Sequence, residues 1–242
     1  MNIENHQITV SGLRVAIVRK DIKNLHLGVY PPNGRVRVAA PLRVSNEAVR
    51  LAVIGKLRWI KRQRARFEDQ PRQSARDFVD GESHFFLGRR YRLKVIERPG
   101  PCQVALRGNG RLELRVRPGA TLEQRERVLL HWYRERLRAS IEPLLDKWQS
   151  RLGVRLAEWG IKKMKTKWGS CNSDARRIWI NLELAKKPAK CLEYIVVHEL
   201  IHLLERRHNE RFLALMDEFL PKWRLYRAEL NRAPLSHEEW VY

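Results

Sequence analysis

The string Ile195-Val196-Val197-His198-Glu199-Leu200-Ile201-His202-Leu203-Leu204 constrains this chain more than any other part of it. Apart from the two histidines and Glu199, every residue in it is aliphatic. That is the pattern of a helix buried on most of its sides. Inside such a helix a polar group without a partner is costly, so three of them together need a reason. On a helix, residues four apart share a face, one turn above the other. His198 and His202 can therefore present both imidazoles to one Zn²⁺ at ~2.0–2.1 Å. Glu199 then stands beside the metal without being forced onto it, where a general base for a bound water is needed. A core helix with hydrogen-bonded histidines is the plainer alternative; the mechanism carried by the motif favours the metal.

A catalytic zinc usually takes three protein ligands and a water. His208 is the best third candidate. On an unbroken helix it would lie ~240° around from His202 and ~9 Å along the axis, out of reach of the same ion. A His208 ligand thus predicts a helix break between Leu204 and Arg207. The spacing equals that of the metzincin pattern HExxHxxGxxH, but Glu205 stands in place of its glycine. Glu205, Glu210 and Glu218 are the alternative third ligands, since carboxylate also suits zinc. Cys171 is a further candidate, as a fourth ligand that would hold the site latent.

The 242 residues allow one or two domains. The first half reads as β: Ile8 to Val18, then Leu25–Tyr30 and Arg35–Ala39 across the turn Pro32-Asn33-Gly34. One helix follows Ser45 or Asn46, with Val49, Val53, Leu57 and Ile60 at helical period. Asp69 to Asp77 is a loop. Two β runs, Phe85–Ile96 and Val104–Val116, come next, the second turning at Gly108-Asn109-Gly110. A long helix starts at Thr121 and ends at Gly153, with Pro143 inside it. Ile178–Leu182 is strand-like. Helices then run from Pro188 through His202, over about 211–220, and from Pro221 through Leu230, before a tail after Pro234. No repeat of 20–50 residues is visible. The expected fold is α+β: a basic β-rich region over residues 1–120 with one helix, then a compact helical core with a small sheet over 121–242.

Charge separates these parts. The chain carries 49 Lys and Arg against 27 Asp and Glu, and residues 1–120 hold 25 of the cations with 10 of the acids. Such a field steers polyanions. The helix with Lys56, Arg58, Lys61 and Arg62, interleaved with Trp59 and Phe67, suits phosphates and unstacked bases. The plainer alternative is a solvated helix face with Trp59 in the core, and no sequence-reading motif opposes it. Three cysteines without a CxxC pair exclude a zinc ribbon and a disulfide framework. With no leader in MNIENHQITV and no apolar span, a soluble, cytoplasmic protein is expected.

Val197-His198-Glu199-Leu200-Ile201-His202, His208-Asn209-Glu210-Arg211-Phe212 and Lys167-Trp168-Gly169-Ser170-Cys171 together resemble the YgjP-like metallopeptidase family, relatives of the SprT-like and WLM zinc proteases. The basic front, with Gly34-Arg35-Val36-Arg37-Val38 and Trp59-Ile60, is also similar to it. The resemblance runs from about Gly12 to Asn231. It implies a zincin-like core, one Zn²⁺ per chain on His198, His202 and His208, and Glu199 as the catalytic carboxylate of a hydrolase. Its partner would be a protein or peptide substrate. The SprT-like relatives act on DNA-bound proteins, so nucleic acid is a second partner to consider through the basic region.

Zinc chemistry would then lower the pKa of a water toward ~7 and polarise the scissile carbonyl, with Glu199 as proton carrier. Trp168, Gly169, Ser170 and Cys171 border the cleft on one reading, pairing an extended substrate as an added strand. On the other they form a tight turn under the metal helix. Glycine permits close backbone approach in either case. A second oxyanion donor is not identified; Tyr226, His237 and nearby arginines are the candidates.

Overall fold

The computed structural model describes residues 5–30, 34–68, 76–164 and 167–232. The turn residues Pro32 and Asn33, most of the expected 69–77 loop, His237 and the tail after Pro234 lie outside them, as do the side chains of Arg66 and Phe67. The chain is mixed α+β and divides into two compact units at Ser74/Ala75. Residue 120, where the sequence suggested a boundary, falls inside the second unit.

The first unit is a four-stranded sheet with two helices. Strands β1 (Asn5–Val10), β2 (Leu13–Lys20), β3 (His26–Tyr30) and β4 (Arg35–Pro41) stand in the order β1-β2-β4-β3. The hairpins β1–β2 and β3–β4 are antiparallel, and β2 runs parallel to β4. Alternation puts Val15, Ile17, Val36 and Val38 on one face, where they meet Val49, Val53 and Ile60 of the helices. The single expected helix is two, α1 (Asn46–Gly55) and α2 (Leu57–Glu68). The helix is interrupted at Lys56, whose N–H bonds back to the Val53 carbonyl. Gly55 precedes it, a residue that costs ~1 kcal/mol relative to alanine in a helix interior. Arg19 is buried and donates to the Pro41 and Val44 carbonyls, so this cation is structural.

The second unit opens with the same plan. Strands β5 (Ser83–Phe86), β6 (Arg89–Glu97), β7 (Gln103–Arg107) and β8 (Arg111–Val116) take the order β5-β6-β8-β7, again with two antiparallel hairpins joined by a parallel pair. The run expected over 85–96 is therefore split. Leu87-Gly88 turns the chain there with φ of 47° and 79°, as Ser11-Gly12 does with 48° and 77°. Two successive positive φ values make the hairpin turn whose twist matches its strands. Each sheet leads into a helix capped by a hydroxyl, Ser45 on α1 and Thr121 on α3 (Leu122–Leu152). The repeat is one of topology, with Asn33-Gly34-Arg35-Val36 and Asn109-Gly110-Arg111-Leu112 its clearest trace in sequence.

The second sheet shares one apolar core with the helices that follow it, which places it with them. Leu93, Leu112 and Leu114 pack in the same cluster as Leu129, Ile141, Val196 and Leu200. The Tyr133 hydroxyl donates to the Phe85 carbonyl at 2.8 Å. The amides of Leu87 and Gly88 donate to the carbonyls of Ala185 and Lys186, in the 3-10 turn Leu182–Lys186. A small sheet completes the unit: β9 (Glu158–Lys162), β10 (Gly169–Asn172) and β11 (Arg177–Asn181), in the order β10-β11-β9. Helices α4 (Ala189–Ile201), α5 (Glu210–Phe219) and α6 (Trp223–Arg232) follow. Helix α3 runs unbroken through Pro143 to Gly153, which caps it at φ 64°. No described helix is long and apolar enough to cross a membrane.

Thr121 and Gln124 form a reciprocal capping box at the start of α3. Thr121→Ala is expected to cost ~1 kcal/mol of stability, read as a lower urea midpoint with an unchanged slope.

Candidate metal centre

Helix α4 forms against local preference. Ile195, Val196 and Val197 are β-branched and weak helix formers. Burial decides the outcome. Every residue from Tyr194 to Ile201 except His198 is buried, and α4 is packed by α3, α5, α6, β10 and β11. Each such aliphatic side chain contributes ~1.5–3 kcal/mol when removed from water, several times the propensity cost.

The helix stops at Ile201, earlier than the predicted break. His202 caps it, and the amides of Leu203, Leu204 and Glu205 bond back to Leu200 and Ile201 in a closing turn. Asn209 then starts α5, its side chain accepting from the Phe212 amide at 3.0 Å. Between these two caps the chain doubles back and brings His208 to His198 and His202. One ring nitrogen from each lies within 4.8 Å of the others. The Nε2 atoms of His198 and His208 are 3.1 Å apart, close to the ~3.3 Å expected between two ligands of a tetrahedral zinc.

The donor set fits a metal. His202 Nδ1 donates to the Glu205 carbonyl at 3.0 Å, which leaves Nε2 with its lone pair for coordination. Burial, reinforced by the neighbouring imidazoles, depresses His198 to about 3. Burial likewise lowers His202. Both are therefore neutral near pH 7, the state a metal ligand needs. Phe212 lies against all three rings, with centroids at 5.0, 4.8 and 4.7 Å. The cluster is half-buried through His198 and His202 and opens to solvent at His208. Among the described residues Cys171 and the carboxylates of Glu205, Glu210 and Glu218 are not part of it. Glu205 instead accepts from the Arg207 amide and shapes the turn.

Glu199 is buried on the β10 side of α4. A methyl group at Gly169 would lie 2.7 Å from its Cγ and 2.8 Å from its Cδ, and closer still to Oε1. Only a hydrogen fits between strand and carboxylate. Burial pushes Glu199 up to about 8, against a smaller pull from Lys167. No donor among the described residues is bonded to it. Burial also raises the Cys171 thiol to about 11, with Glu199 adding to the effect.

From Gly169 on, the Trp168–Cys171 element is part of β10, an edge strand among the described residues, beside the carboxylate. Asn181, which the sequence did not single out, holds it there. Its side-chain amide donates to the carbonyls of Met164 and Lys167, both at 2.7 Å, and its backbone amide to that of Trp168 at 2.9 Å. Phe212 and Tyr194 were not singled out either, whereas Arg227 falls among the arginines near Tyr226 that the sequence offered. Tyr194 lies one helical turn before His198, with ring centroids 5.8 Å apart, and Arg227 of α6 weighs on both residues electrostatically. Helical spacing from His198 could have found Tyr194. Tyr226 packs against the core, and its carbonyl lies 3.7 Å from Cys191 Sγ.

Lys56, Arg58, Lys61 and Arg62 lie in the first unit, at the α1–α2 break and along α2. All four are exposed, while Trp59 packs against the core.

The raised Glu199 pKa carries a signed consequence. The folded, metal-free chain holds a proton that the unfolded chain releases near 4.5. Stability from this group is present at low pH and is lost as the pH rises through about 8. Thermal melts of metal-free protein should fall over that window, and Glu199→Gln should flatten the fall. Gly169→Ala should displace the carboxylate or the strand and destabilise the chain by ~1–3 kcal/mol, seen as a lower urea midpoint.

No curated protein matches the chain. A sequence model of the YgjP-like metallopeptidase domain matches residues 23–233. That span takes in all three histidines, Glu199 and the Trp168–Cys171 strand, and most of the first unit as well. The chain belongs to the YgjP-like family of metallopeptidase domains.

Proposed function

We propose that the chain is a zinc-dependent peptidase that hydrolyses an extended protein or peptide segment laid along β10. The observation that carries this reading is the convergence of three imidazoles with a buried carboxylate and a sheet edge. A purely structural metal would have no use for a buried carboxylate to which no donor among the described residues is bonded. Three imidazoles suit zinc, and a zinc ion held by them supplies Lewis acidity for the scissile carbonyl and for an attacking water.

The chain's own residues do the rest. Glu199 takes the proton of the attacking water and returns it to the leaving amine. Among the described residues, strand β10 pairs with β11 on one side only. Its other edge offers backbone N–H and C=O groups to a substrate strand. With no side chain at Gly169, that strand can run directly past Glu199. Tyr194 and Arg227, beside His198, are the candidates for donors to the developing oxyanion.

Metal content by elemental mass spectrometry and cleavage of fluorescein-labelled casein test this together. Wild-type protein should hold one zinc per chain and cleave. His208→Ala should lose most of the metal. Glu199→Gln should keep it and cleave at least ~100-fold more slowly. Undiminished cleavage by Glu199→Gln, or full metal in His208→Ala, would sink the assignment.

A further inference from the structure

The two four-stranded sheets share a topology but not a surface. In each, one face is apolar and covered by helix, and the other carries the alternate residues of every strand. On the second sheet that other face mixes signs. Glu113 at its centre takes Arg107 at 3.0 Å and Arg115 at 3.5 Å, and Asp80 takes Lys94. None of the four strands of the first sheet contains an Asp or a Glu. In the matching registers, Arg37 stands where the second sheet has Glu113, Tyr30 where it has Arg107, and Gly28 where it has Ala105.

These three exchanges act together. Gly28 pairs with Arg37 and Tyr30 with Arg35 across the β3–β4 hairpin. A methyl group at Gly28 would lie 2.7 Å from both Cε2 and the hydroxyl of Tyr30, and 2.8 Å from Cζ. The tyrosine ring therefore lies along the strand over the glycine, a seat that any side chain at 28 would destroy. A glycine inside a strand often marks such a close approach. Arg35 and Arg37 on β4 pair with the residues under this ring, and Arg14 and Lys20 stand further off on the same face of β2. Arg14, Lys20 and Arg35 are exposed. Helices α1 and α2 pack on the opposite face.

We infer that this face of the first sheet binds single-stranded nucleic acid. A flat aromatic ring set among cations matches a chain of phosphates bearing unstacked bases. Cations alone would favour any polyanion; the seated ring adds base stacking. The inference does not depend on the peptidase reading and needs no metal.

The test is fluorescence anisotropy of the full chain with labelled oligouridylate, oligodeoxythymidylate and a duplex of equal length, across a salt series. Single strands should bind more tightly than duplex. Tyr30→Leu should weaken binding about tenfold, while Tyr30→Phe should keep it. Arg37→Glu, which installs the residue type of the second sheet, should weaken it and reduce the salt slope by about one. Lys61→Glu with Arg62→Glu, on α2, should have the smaller effect. Circular dichroism melts show which variants remain folded, and Tyr30→Phe against Arg37→Glu decides if Tyr30→Leu does not. The inference is overturned by no binding at low salt, by duplex binding as tightly as single strand, or by loss confined to the α2 variant. Equal binding of poly-glutamate would likewise reduce the face to bare charge and overturn it.

Discussion

The desolvation of α4 is the constraint on which the second unit rests. A helix apolar on nearly every side has to be surrounded, and α3, α5, α6 and the small sheet do so. Enclosure is also what makes the site. It keeps His198 and His202 neutral, raises Glu199, and presses β10 so close that Gly169 can carry no side chain. The same burial that overrides the poor helix propensity of Ile195, Val196 and Val197 prepares the chemistry of the residues beside them.

Around that helix, precision comes from polar groups of the backbone and a few buried amides. His202 closes α4, Asn209 opens α5, and the short turn between them decides where His208 arrives. Asn181 fixes the approach of β10 by bonding to three carbonyls on the segment before it. The Leu87-Gly88 hairpin turn is bonded to the 3-10 turn that leads into α4. These contacts explain why the second sheet belongs with the helices rather than with the basic sheet it resembles.

The two sheets show one topology put to two uses. Both begin with the same two-residue turn and end in a capped helix. The second has placed its apolar face into the large core and balanced its outer face with carboxylates. The first has a small core of its own and strands that carry cations without acids. A repeat of this kind escapes a reading of periods of 20–50 residues because its copies, turning at Ser11-Gly12 and Leu87-Gly88, lie farther apart than that, and pleated strands fix only the alternation of apolar and polar positions, not their identities.

By itself the sequence marked His198 and His202 as a pair that could hold a metal, with Glu199 beside them and His208 as the best third candidate. Spacing of four on a helix, with an apolar surround, leaves few other uses for His198, Glu199 and His202. It also determined the hairpins at Asn-Gly, the ends of α3, and the need for a break if His208 was to reach the site. Tertiary structure decided what no local pattern carries. The seat of Gly169 on Glu199, the floor made by Phe212 and the hold of Asn181 on β10 all join residues that are distant along the chain or on separate elements. Propensity and periodicity describe how a residue meets its near neighbours. Contacts between elements depend on how buried surfaces fit, and that is settled only when the whole core closes.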